Sequence, residues 1–471
     1  MVFSSISFLC GFLVIVFLLY SIIPSLKIKN LLLILFSLVF YAVGEPVYVF
    51  LMLGMSFVNY LFGLLIDKKE EYKKLWLFLS ILINIGVLFV FKYINFVISN
   101  INNAFNISIP STDIVMPIGI SFFTFQAMSY VIDVYRKDCD CQKNFFNVLL
   151  YISFFPQLIA GPIIKYHDME QEITDRKQTI DDIEGGIRRF ILGLTKKVII
   201  SNAIALMVDT LMTNVYSMSV LAAWIMAIGY ALQIYYDFSG YSDMAIGLGR
   251  MFGFHFKENF DYPYSSTSIK EFWRRWHISL STWFKEYVYI PLGGNRKGKF
   301  RTTVNKFIVF FLTGFWHGAN WTFICWGLIH GTLSVLEETK HFNINNIKFK
   351  PIRYLYTMLI VIIAFVVFRA ESMGQAFDII GRMFGIGSTG LGTDFLLLSQ
   401  LTPYNIFAFV IGIIFMTPWL DKLVVKIENK DDDRLYKAYY MITGVVLMVC
   451  MLFCIITLAS DSYNPFIYFR F

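Results

Sequence analysis

Long apolar runs, separated by short polar loops, recur along the whole chain. Most have about 18 to 25 residues, the length that an α-helix needs to cross about 30 Å of hydrocarbon at 1.5 Å per residue. An outer-membrane barrel would instead show alternating apolar and polar residues, and no such alternation is visible. The composition agrees, because 57% of the residues are hydrophobic and only 15% are charged. The pattern predicts an all-α polytopic integral membrane protein with about eleven transmembrane helices.

The chain is interpreted as one membrane domain, residues 1–471, with four consecutive parts. Residues 1–164 hold the N-terminal spans, and residues 165–306 hold cytoplasmic and interfacial helices together with central spans. Residues 307–336 form a hairpin that carries two histidines, and residues 337–471 hold the C-terminal spans.

One apolar run is interrupted. Asn147–Ile163 contains Pro156, Gly161 and Pro162, and proline breaks the hydrogen-bond ladder of a helix. Broken backbone at membrane depth is tolerated only where protein or a cavity covers it. This run is therefore a candidate re-entrant segment, which enters the bilayer and returns on the same side.

Lysine and arginine set the orientation. They concentrate in loops near residues 27–29, 68–74 and 136–143, which are separated by two spans each. The positive-inside rule assigns these loops to the cytoplasm and the N-terminus to the outside. The first run, Ser5–Ile23, has no basic segment before it and is interpreted as a retained span. The net charge of +7 reflects this loop bias, and no nucleic-acid binding is predicted.

A tryptophan-rich apolar stretch, GFWHGANWTFICWGLIHG, carries His317 and His330. A titratable group at bilayer depth costs free energy to desolvate and usually faces a cavity, a partner or a reaction. Burial favours the neutral imidazole, which can accept a proton from a hydroxyl group. His317 is therefore the candidate general base, with a structural hydrogen bond as the alternative. For His330, helix packing is the alternative to a supporting role.

The neighbours of His317 are candidate supporting residues. Trp316 and Trp321 flank the histidine, and Asn320 can orient the imidazole ring or polarise a carbonyl group. Asn320, an indole N–H group or His277 could each stabilise an oxyanion, and the sequence does not choose among them.

His277 lies in a stretch of different character, FWRRWHISLSTW. Arg274 and Arg275 can bind a phosphate, a pantetheine or a carrier-protein carboxylate that arrives from the cytoplasm. Alternatively, these arginines only fix the topology. Lys285 and Arg296 continue the same basic region and are further candidates for donor binding.

Several other kinds of site are not indicated. His317 and His330 lack the i, i+4 spacing of a helical zinc pair, and no HExxH motif is present, so no metal site is predicted. Cys139 and Cys141 flank one aspartate in a polar loop, where solvated thiols are the default interpretation. Asp237 and Asp243 follow the predicted span Ser219–Tyr236, so the default interpretation is that they cap it; pairing with arginines or lining a cavity are the alternatives.

Five stretches, in order from residue 116 to residue 331, carry a resemblance to a known family. They read MPIGISFFTFQAMSYVIDVYR, FFPQLIAGPI, QIYYDFSGYSDMAIGLGRMFG, NFDYPYSSTSIKEFWRRWHISLSTWFKEYVYIPLGGNR and GFWHGANWTFICWGLIHG. The chain resembles the membrane-bound O-acyltransferase (MBOAT) family, and most closely its bacterial AlgI-like branch, the alginate O-acetyltransferases, which is related to the DltB proteins.

The resemblance implies a helical bundle around a central funnel or tunnel, in the cytoplasmic membrane of a bacterium. It implies that His317, in Trp-His-Gly, is the catalytic residue and that His277 is the second polar site residue. Family members transfer an acyl group from a thioester, such as acetyl-CoA or an acyl carrier protein, to a hydroxyl group. In the bacterial branch the acyl group, expected to be acetyl, passes through the membrane toward a surface polysaccharide, with an extracytoplasmic acyltransferase as partner and no bound cofactor.

Two other functions are compatible with the sequence. One is D-alanyl transfer to teichoic acid, as in the DltB proteins. The other is a secondary transporter or polysaccharide exporter in which His317 relays protons.

Overall fold

A computed structural model of the protein describes residues 1–340, 342–387, 391–428, 433–460, 463–464 and 466–467. In these ranges all regular secondary structure is helical, so the all-α prediction is confirmed. His341, which the sequence places in a loop, lies outside the described residues.

The helices include enough long apolar segments for a multi-pass membrane protein. Six are long and apolar enough to cross a bilayer: Tyr48–Lys68, Glu70–Phe105, Ile180–Met212, Val220–Met251, Lys350–Arg369 and Arg434–Ser460. Pro403–Phe415 and Trp419–Ile427, bent by 60° at their junction, form a seventh if they are one broken span. Ser7–Ile22 and Trp321–Leu336 are shorter apolar helices. The polytopic prediction is confirmed, whereas the predicted number of about eleven spans is not.

The chain forms two compact units. The first comprises Met1–Phe190 and Met244–Lys257, and the second comprises Ile191–Asp243 and Glu258–Phe471. The division of the sequence into four parts stays a prediction.

The first unit is built around phenylalanine side chains. Besides the long helices it contains Leu26–Ala42, Ile120–Arg136, Phe145–Ser153, Phe155–Leu158 and Tyr166–Thr174. Phe3, Phe8, Phe12, Phe40 and Phe155 form one cluster, in which neighbouring ring centroids lie 5.0 to 6.4 Å apart. Aromatic pairs at these distances add to the free energy gained by burying their area.

The interrupted run lies within this unit and is covered by protein. The helix Phe145–Ser153 ends before Pro156, and residues 148–165 are buried throughout. Tyr151 donates a hydrogen bond to the carbonyl oxygen of Ile164 at 2.7 Å, across the non-helical part. Buried non-helical backbone of this kind is the condition under which a chain can break its helix at membrane depth.

The second unit holds the histidine-rich stretches. Besides its long helices it contains Ile269–Arg275, Ile278–Phe284, Gly298–His317, Trp321–Leu336, Met373–Met383, Leu391–Gln400, Pro403–Phe415 and Trp419–Glu428. Its apolar core is formed by residues of the helices Val220–Met251 and Lys350–Arg369 together with Phe272, Trp276 and Trp326.

Two buried ion pairs join neighbouring helices of the second unit. The helix Val220–Met251 continues through Asp237 and Asp243, so the prediction that these carboxylates cap a span end is wrong. Lys197 lies 2.5 Å from Asp237, and Lys196 lies 2.6 Å from Asp243. An unpaired charge would be expensive at this depth, and pairing lets the helix continue through these positions.

The helices Gly298–His317 and Trp321–Leu336 pack against each other as an antiparallel hairpin with a three-residue connection. Two glycines allow the close approach. A Cβ atom on Gly314 would lie 2.3 Å from the carbonyl oxygen of Phe323, and one on Gly327 would lie 2.3 Å from that of Phe310. Only glycine fits such distances, so backbone packing fixes the position of the hairpin end that carries His317.

Candidate active site

His317 is the last residue of its helix, and the backbone turns to an extended conformation at Gly318. Its side chain is buried between aromatic rings. The rings of Trp326 and Phe368 both have their centroids 5.2 Å from that of the imidazole, and Trp316 has its centroid at 5.0 Å. All three rings stand nearly perpendicular to the imidazole plane. This aromatic cage holds the imidazole in one orientation.

A narrow apolar cavity of about 10 Å³ lies beside His317. It is lined by Ile234, Phe238, Trp276, His317, Trp326, Phe365, Phe368 and Ile467. Only histidine and tryptophan side chains in this set carry polar atoms. A reaction in such a cavity takes place in a low dielectric, where each remaining hydrogen bond or charge has a larger effect than in water.

His277 is fully buried and has a left-handed backbone conformation, with φ of +44°. Left-handed backbone costs free energy in a residue other than glycine and is concentrated at functional sites. The ring of His277 lies 4.6 Å from that of Phe238 and 6.1 Å from that of Trp316. Because Trp316 also contacts His317, the two histidines share contact with one indole.

Asn259 determines the tautomer of His277. Its Oδ1 atom accepts a hydrogen bond from the backbone N–H of Ser279 at 3.1 Å, so this atom is an acceptor. Nδ1 of His277 lies 3.1 Å from the same oxygen and must therefore carry a proton. The lone pair is left on Nε2, which has no hydrogen-bond partner among the described residues. The amide nitrogen of Asn259 donates to Oγ of Ser242 at 3.0 Å.

The charge state of His277 follows from its burial. Its position lies outside the apolar spans, and desolvation lowers the pKa of the imidazole to about 3. His277 is therefore neutral at physiological pH. A neutral ring with a free lone pair can accept a hydrogen bond, but it is a weak base.

His330 is also fully buried and lies one aromatic ring away from His317. Trp326 separates them, with its centroid 5.2 Å from each imidazole. Phe272 stacks on His330 at 5.8 Å and Trp273 contacts its edge at 5.4 Å. Neither ring nitrogen of His330 has a hydrogen-bond partner in the described ranges, and His330 does not line the cavity.

Asn320 and Trp321 do not line the cavity. The side-chain oxygen of Asn320 caps the helix Trp321–Leu336 by accepting from the N–H of Thr322 at 3.1 Å. Its amide nitrogen donates to the carbonyl oxygen of Glu371 at 2.9 Å. Trp321 is 53% exposed. The structure therefore gives Asn320 a capping role.

Two of the four predicted donor-binding residues share a cleft. Arg274 and Arg275 line it together with Asp261, Ser268, Lys270, Glu271 and Arg353. Arg275 forms ion pairs with Glu271 at 3.0 Å and Asp261 at 3.4 Å. Arg274 is exposed and forms no ion pair with any described residue. This leaves Arg274 available to an anionic ligand.

The other two do not line this cleft. Lys285 and Arg296 are exposed.

In the part of the chain that the structure describes, no three His, Cys, Asp or Glu side chains form a group that could hold a metal ion.

Sequence reasoning missed Asn259 and Trp326. Asn259 lies 18 positions before His277, and no periodicity relates residues at that separation. Trp326 lies in the same stretch as His317 but reads as an ordinary apolar residue of a helix. The lysines at 196 and 197 could have been noticed, because charges at membrane depth predict partners.

Comparison with known proteins identifies the family. The profile of the family described as MBOAT, membrane-bound O-acyltransferase family, matches residues 142–373, which include His277 and His317. A probable alginate O-acetylase of Pseudomonas putida is 38% identical over 492 aligned residues, covering 100% of both chains.

Other, less similar relatives are named for acyl transfer to different cell-envelope polymers. A peptidoglycan O-acetyltransferase of Helicobacter pylori is 33% identical over 521 residues, covering 100% of this chain and 98% of the relative. A teichoic acid D-alanyltransferase of Bacillus subtilis is 30% identical over 268 residues, covering 54% of this chain and 67% of the relative. The chain is thus a membrane acyltransferase and belongs to the membrane-bound O-acyltransferase family.

Proposed function

We propose that this protein takes an acetyl group from a thioester donor on the cytoplasmic side and transfers it through the membrane for O-acylation of a cell-surface or secreted polysaccharide. The observation that carries the proposal is the position of His317 beside a narrow apolar cavity, with the ring of Trp316 in contact with both His317 and His277. An apolar cavity excludes water, which would otherwise hydrolyse the thioester.

The relatives support the class of acceptor. The relatives that match the full chain are named for acetyl transfer to alginate or peptidoglycan, which are both carbohydrate polymers. The D-alanyltransferases match about half of the chain. Acetyl transfer to a polysaccharide is therefore favoured over D-alanyl transfer to teichoic acid.

One helix supports the route of the acyl group. Arg353, near the start of Lys350–Arg369, lines the cleft of Arg274, and Phe365, near its end, lines the cavity of His317. Phe365 follows Arg353 by twelve positions in the helix, a rise of about 18 Å. A donor with its anionic end in the cleft thus needs an extended arm to bring its thioester to His317. Acetyl-CoA and acyl carrier proteins both carry such an arm.

His317 acts as the general base in this proposal. It accepts the proton of the acceptor hydroxyl while the hydroxyl oxygen attacks the thioester carbon. The carbon–sulfur bond then breaks, and His317 returns the proton to the departing thiolate. His277 does not line the cavity, so in this proposal it acts as a positioning residue through Trp316, whose ring contacts both histidines.

The partners follow from the same route. A cytoplasmic acetyl-CoA or acyl carrier protein supplies the acetyl group, and the basic loops at 27–29, 68–74 and 136–143 then face the cytoplasm. This orientation places the N-terminus outside. An extracytoplasmic acyltransferase hands the group to the polymer.

The test measures ester-linked acetyl on the surface polysaccharide of cells that carry the wild-type protein, His317→Ala or His277→Ala. Membrane abundance is checked by immunoblot. We expect His317→Ala to lower the rate of ester formation by about 10²–10⁴ at normal abundance. His255→Gln is the matched control, because His255 is a half-exposed histidine of the first unit.

Unchanged ester in the His317 variant would overturn the proposal. Retention of polymer export together with loss of ester would exclude the exporter alternative. Incorporation of labelled D-alanine in place of acetate would favour D-alanyl transfer.

A further inference from the structure

Attack of a hydroxyl on a thioester requires a hydrogen-bond donor near the carbonyl oxygen. As the new carbon–oxygen bond forms, the π electrons of the carbonyl move to its oxygen, which becomes negatively charged. In an apolar cavity this charge must meet a positioned donor, because water is absent. The cavity beside His317 holds few groups that can donate.

The backbone N–H groups of the residues that line the cavity already donate hydrogen bonds within the protein. Five of these residues lie inside helices: Ile234, Phe238, Trp326, Phe365 and Phe368. The N–H of Trp276 donates to the carbonyl oxygen of Phe272 at 2.8 Å, and that of Ile467 donates to Oδ2 of Asp237 at 2.7 Å. The donor must therefore come from a side chain.

Three lining side chains carry an N–H group: Trp276, His317 and Trp326. His317 accepts the hydroxyl proton and is therefore occupied. Of the two indoles, Trp326 stands perpendicular to His317, at an interplanar angle of 89° and a centroid distance of 5.2 Å. Its Nε1 is buried and has no acceptor among the described residues. A buried N–H group without an acceptor calls for an explanation, and one that borders a cavity is placed to donate to a bound molecule.

Other candidates near the cavity are occupied or remote. Nδ1–H of His277 is donated to Asn259, and the amide of Asn320 is donated to Glu371. Trp273 also has a buried indole N–H without a described acceptor, but it does not line the cavity.

We propose that Trp326 is a catalytic residue whose indole N–H donates a hydrogen bond to the oxyanion of the tetrahedral intermediate. The inference rests on the proposed function, because it concerns the same acyl transfer. The hydroxyl proton moves to His317, the carbonyl π electrons move to the oxygen held by Nε1–H, and the carbon–oxygen bond forms. On collapse the carbonyl re-forms, the carbon–sulfur bond breaks, and the thiolate takes the proton from His317. Trp326 keeps its own proton throughout.

The test removes the indole N–H group in two ways, one of which keeps the bicyclic ring. Trp326 is changed to phenylalanine, and separately to 3-benzothienylalanine, in which sulfur replaces the indole N–H and the bicyclic ring is retained. Cells that produce the full-length protein receive labelled acetate, and the initial rate of labelling of alkali-labile ester on the extracted polysaccharide is measured. We expect both variants to lower this rate by about 10²–10³ at normal membrane abundance.

Trp273 is the matched control, since its indole N–H is equally buried and without a described acceptor but lies off the cavity. The same two replacements there should keep the rate within a few-fold of wild type. A near wild-type rate with benzothienylalanine at 326 would overturn the assignment, and a loss on Trp276→Phe alone would move it to that indole. Equal labelling in wild type and His317→Ala would instead contradict the proposed function.

Discussion

Oδ1 of Asn259 lies 3.1 Å from Nδ1 of His277 and holds the imidazole in a single tautomer. The same oxygen accepts from the backbone N–H of Ser279 at 3.1 Å and from its hydroxyl at 2.8 Å. One amide oxygen thus sets both the orientation of His277 and the first turn of the helix Ile278–Phe284.

Replacing Asn259 by alanine should disable His277 without removing it. The change leaves the Nδ1–H group of His277 and the N–H of Ser279 without an acceptor, at a cost of about 1–3 kcal/mol for each buried group. We expect the rate of ester formation to fall at least about tenfold. Ser242→Ala, which removes only the partner of the Asn259 amide nitrogen, should have a clearly smaller effect. Equal effects of the two changes would contradict the positioning role of Asn259.

The ion pair of Lys197 and Asp237 should show strong coupling in a double-mutant cycle. Both side chains are almost fully buried, so removing one leaves an uncompensated charge. We expect Lys197→Met alone to cost about 3–5 kcal/mol of unfolding free energy, and the double variant with Asp237→Leu to recover part of it. The measurement is the thermal midpoint of the purified protein in detergent micelles. Additive effects would argue against the pair.

Gly314→Ala should separate the two helices of the hairpin. The new methyl group would lie 2.3 Å from the carbonyl oxygen of Phe323, which belongs to rigid helical backbone. We expect loss of both thermal stability and ester formation, because His317 lies three residues further along. Gly54→Ala is the control: no heavy atom lies within 4 Å of its new Cβ, and alanine is favoured over glycine in a helix by about 0.5–1 kcal/mol. A Gly314→Ala variant with wild-type thermal stability and ester formation would contradict the close packing.

The pair of His167 and Asp133 should make stability depend on pH. The hydrogen bond from Nδ1 of His167 to Asp133, 2.9 Å long, raises the pKa of this imidazole, although desolvation and Lys165 oppose the shift. Asp168 lies 3.6 Å from the other ring nitrogen and acts in the same direction as Asp133. His167 lies outside the apolar spans.

A raised pKa means that the folded protein binds this proton more tightly than the unfolded chain does. The stabilisation is therefore complete below the unfolded pKa of about 6.5 and is lost as the pH rises through the higher folded pKa. The difference in thermal midpoint between wild type and His167→Gln should be largest at low pH and should shrink at alkaline pH. A difference that grows with pH would be inconsistent with this sign.

Arg274→Ala should weaken donor binding. Arg274 lines the basic cleft and is exposed, so its interaction with an anionic donor is screened by water and salt. We expect a several-fold higher KM for acetyl-CoA in inverted membrane vesicles, with kcat little changed. Arg296→Ala removes an equal charge outside the cleft and should leave KM unchanged. A fall in kcat at constant KM would mean that Arg274 acts elsewhere.

Much of the fold could be predicted from the chain because membrane insertion imposes a length and a polarity on each helix. The helical class, the break near Pro156 and the tryptophan-rich stretch around His317 all follow from that rule. The end of the helix that contains Asp237 was predicted wrongly because a carboxylate was treated as a stop signal. Its partner, Lys197, lies 40 positions away, and only the folded chain brings the two together.

The site was less predictable than the fold. His317 stands out because a titratable group in an apolar stretch needs a reason, and His277 stands out by the arginines and tryptophan that precede it. Asn320 stood out equally by its position, yet it caps a helix. Asn259 and Trp326 gave no signal, because their roles depend on which hydrogen bonds are already made within the folded protein.

The buried lysine–aspartate pairs also bear on how an energised membrane acts on this protein. Moving one elementary charge across a membrane is worth about 2.3 kcal/mol per 100 mV, but a neutral pair presents no net charge to the field. The acetyl group that we propose to cross the membrane is uncharged as well. Ester formation should therefore proceed at the same rate in polarised and depolarised membranes. The free energy that drives it would then come from cleavage of the thioester and not from the membrane potential.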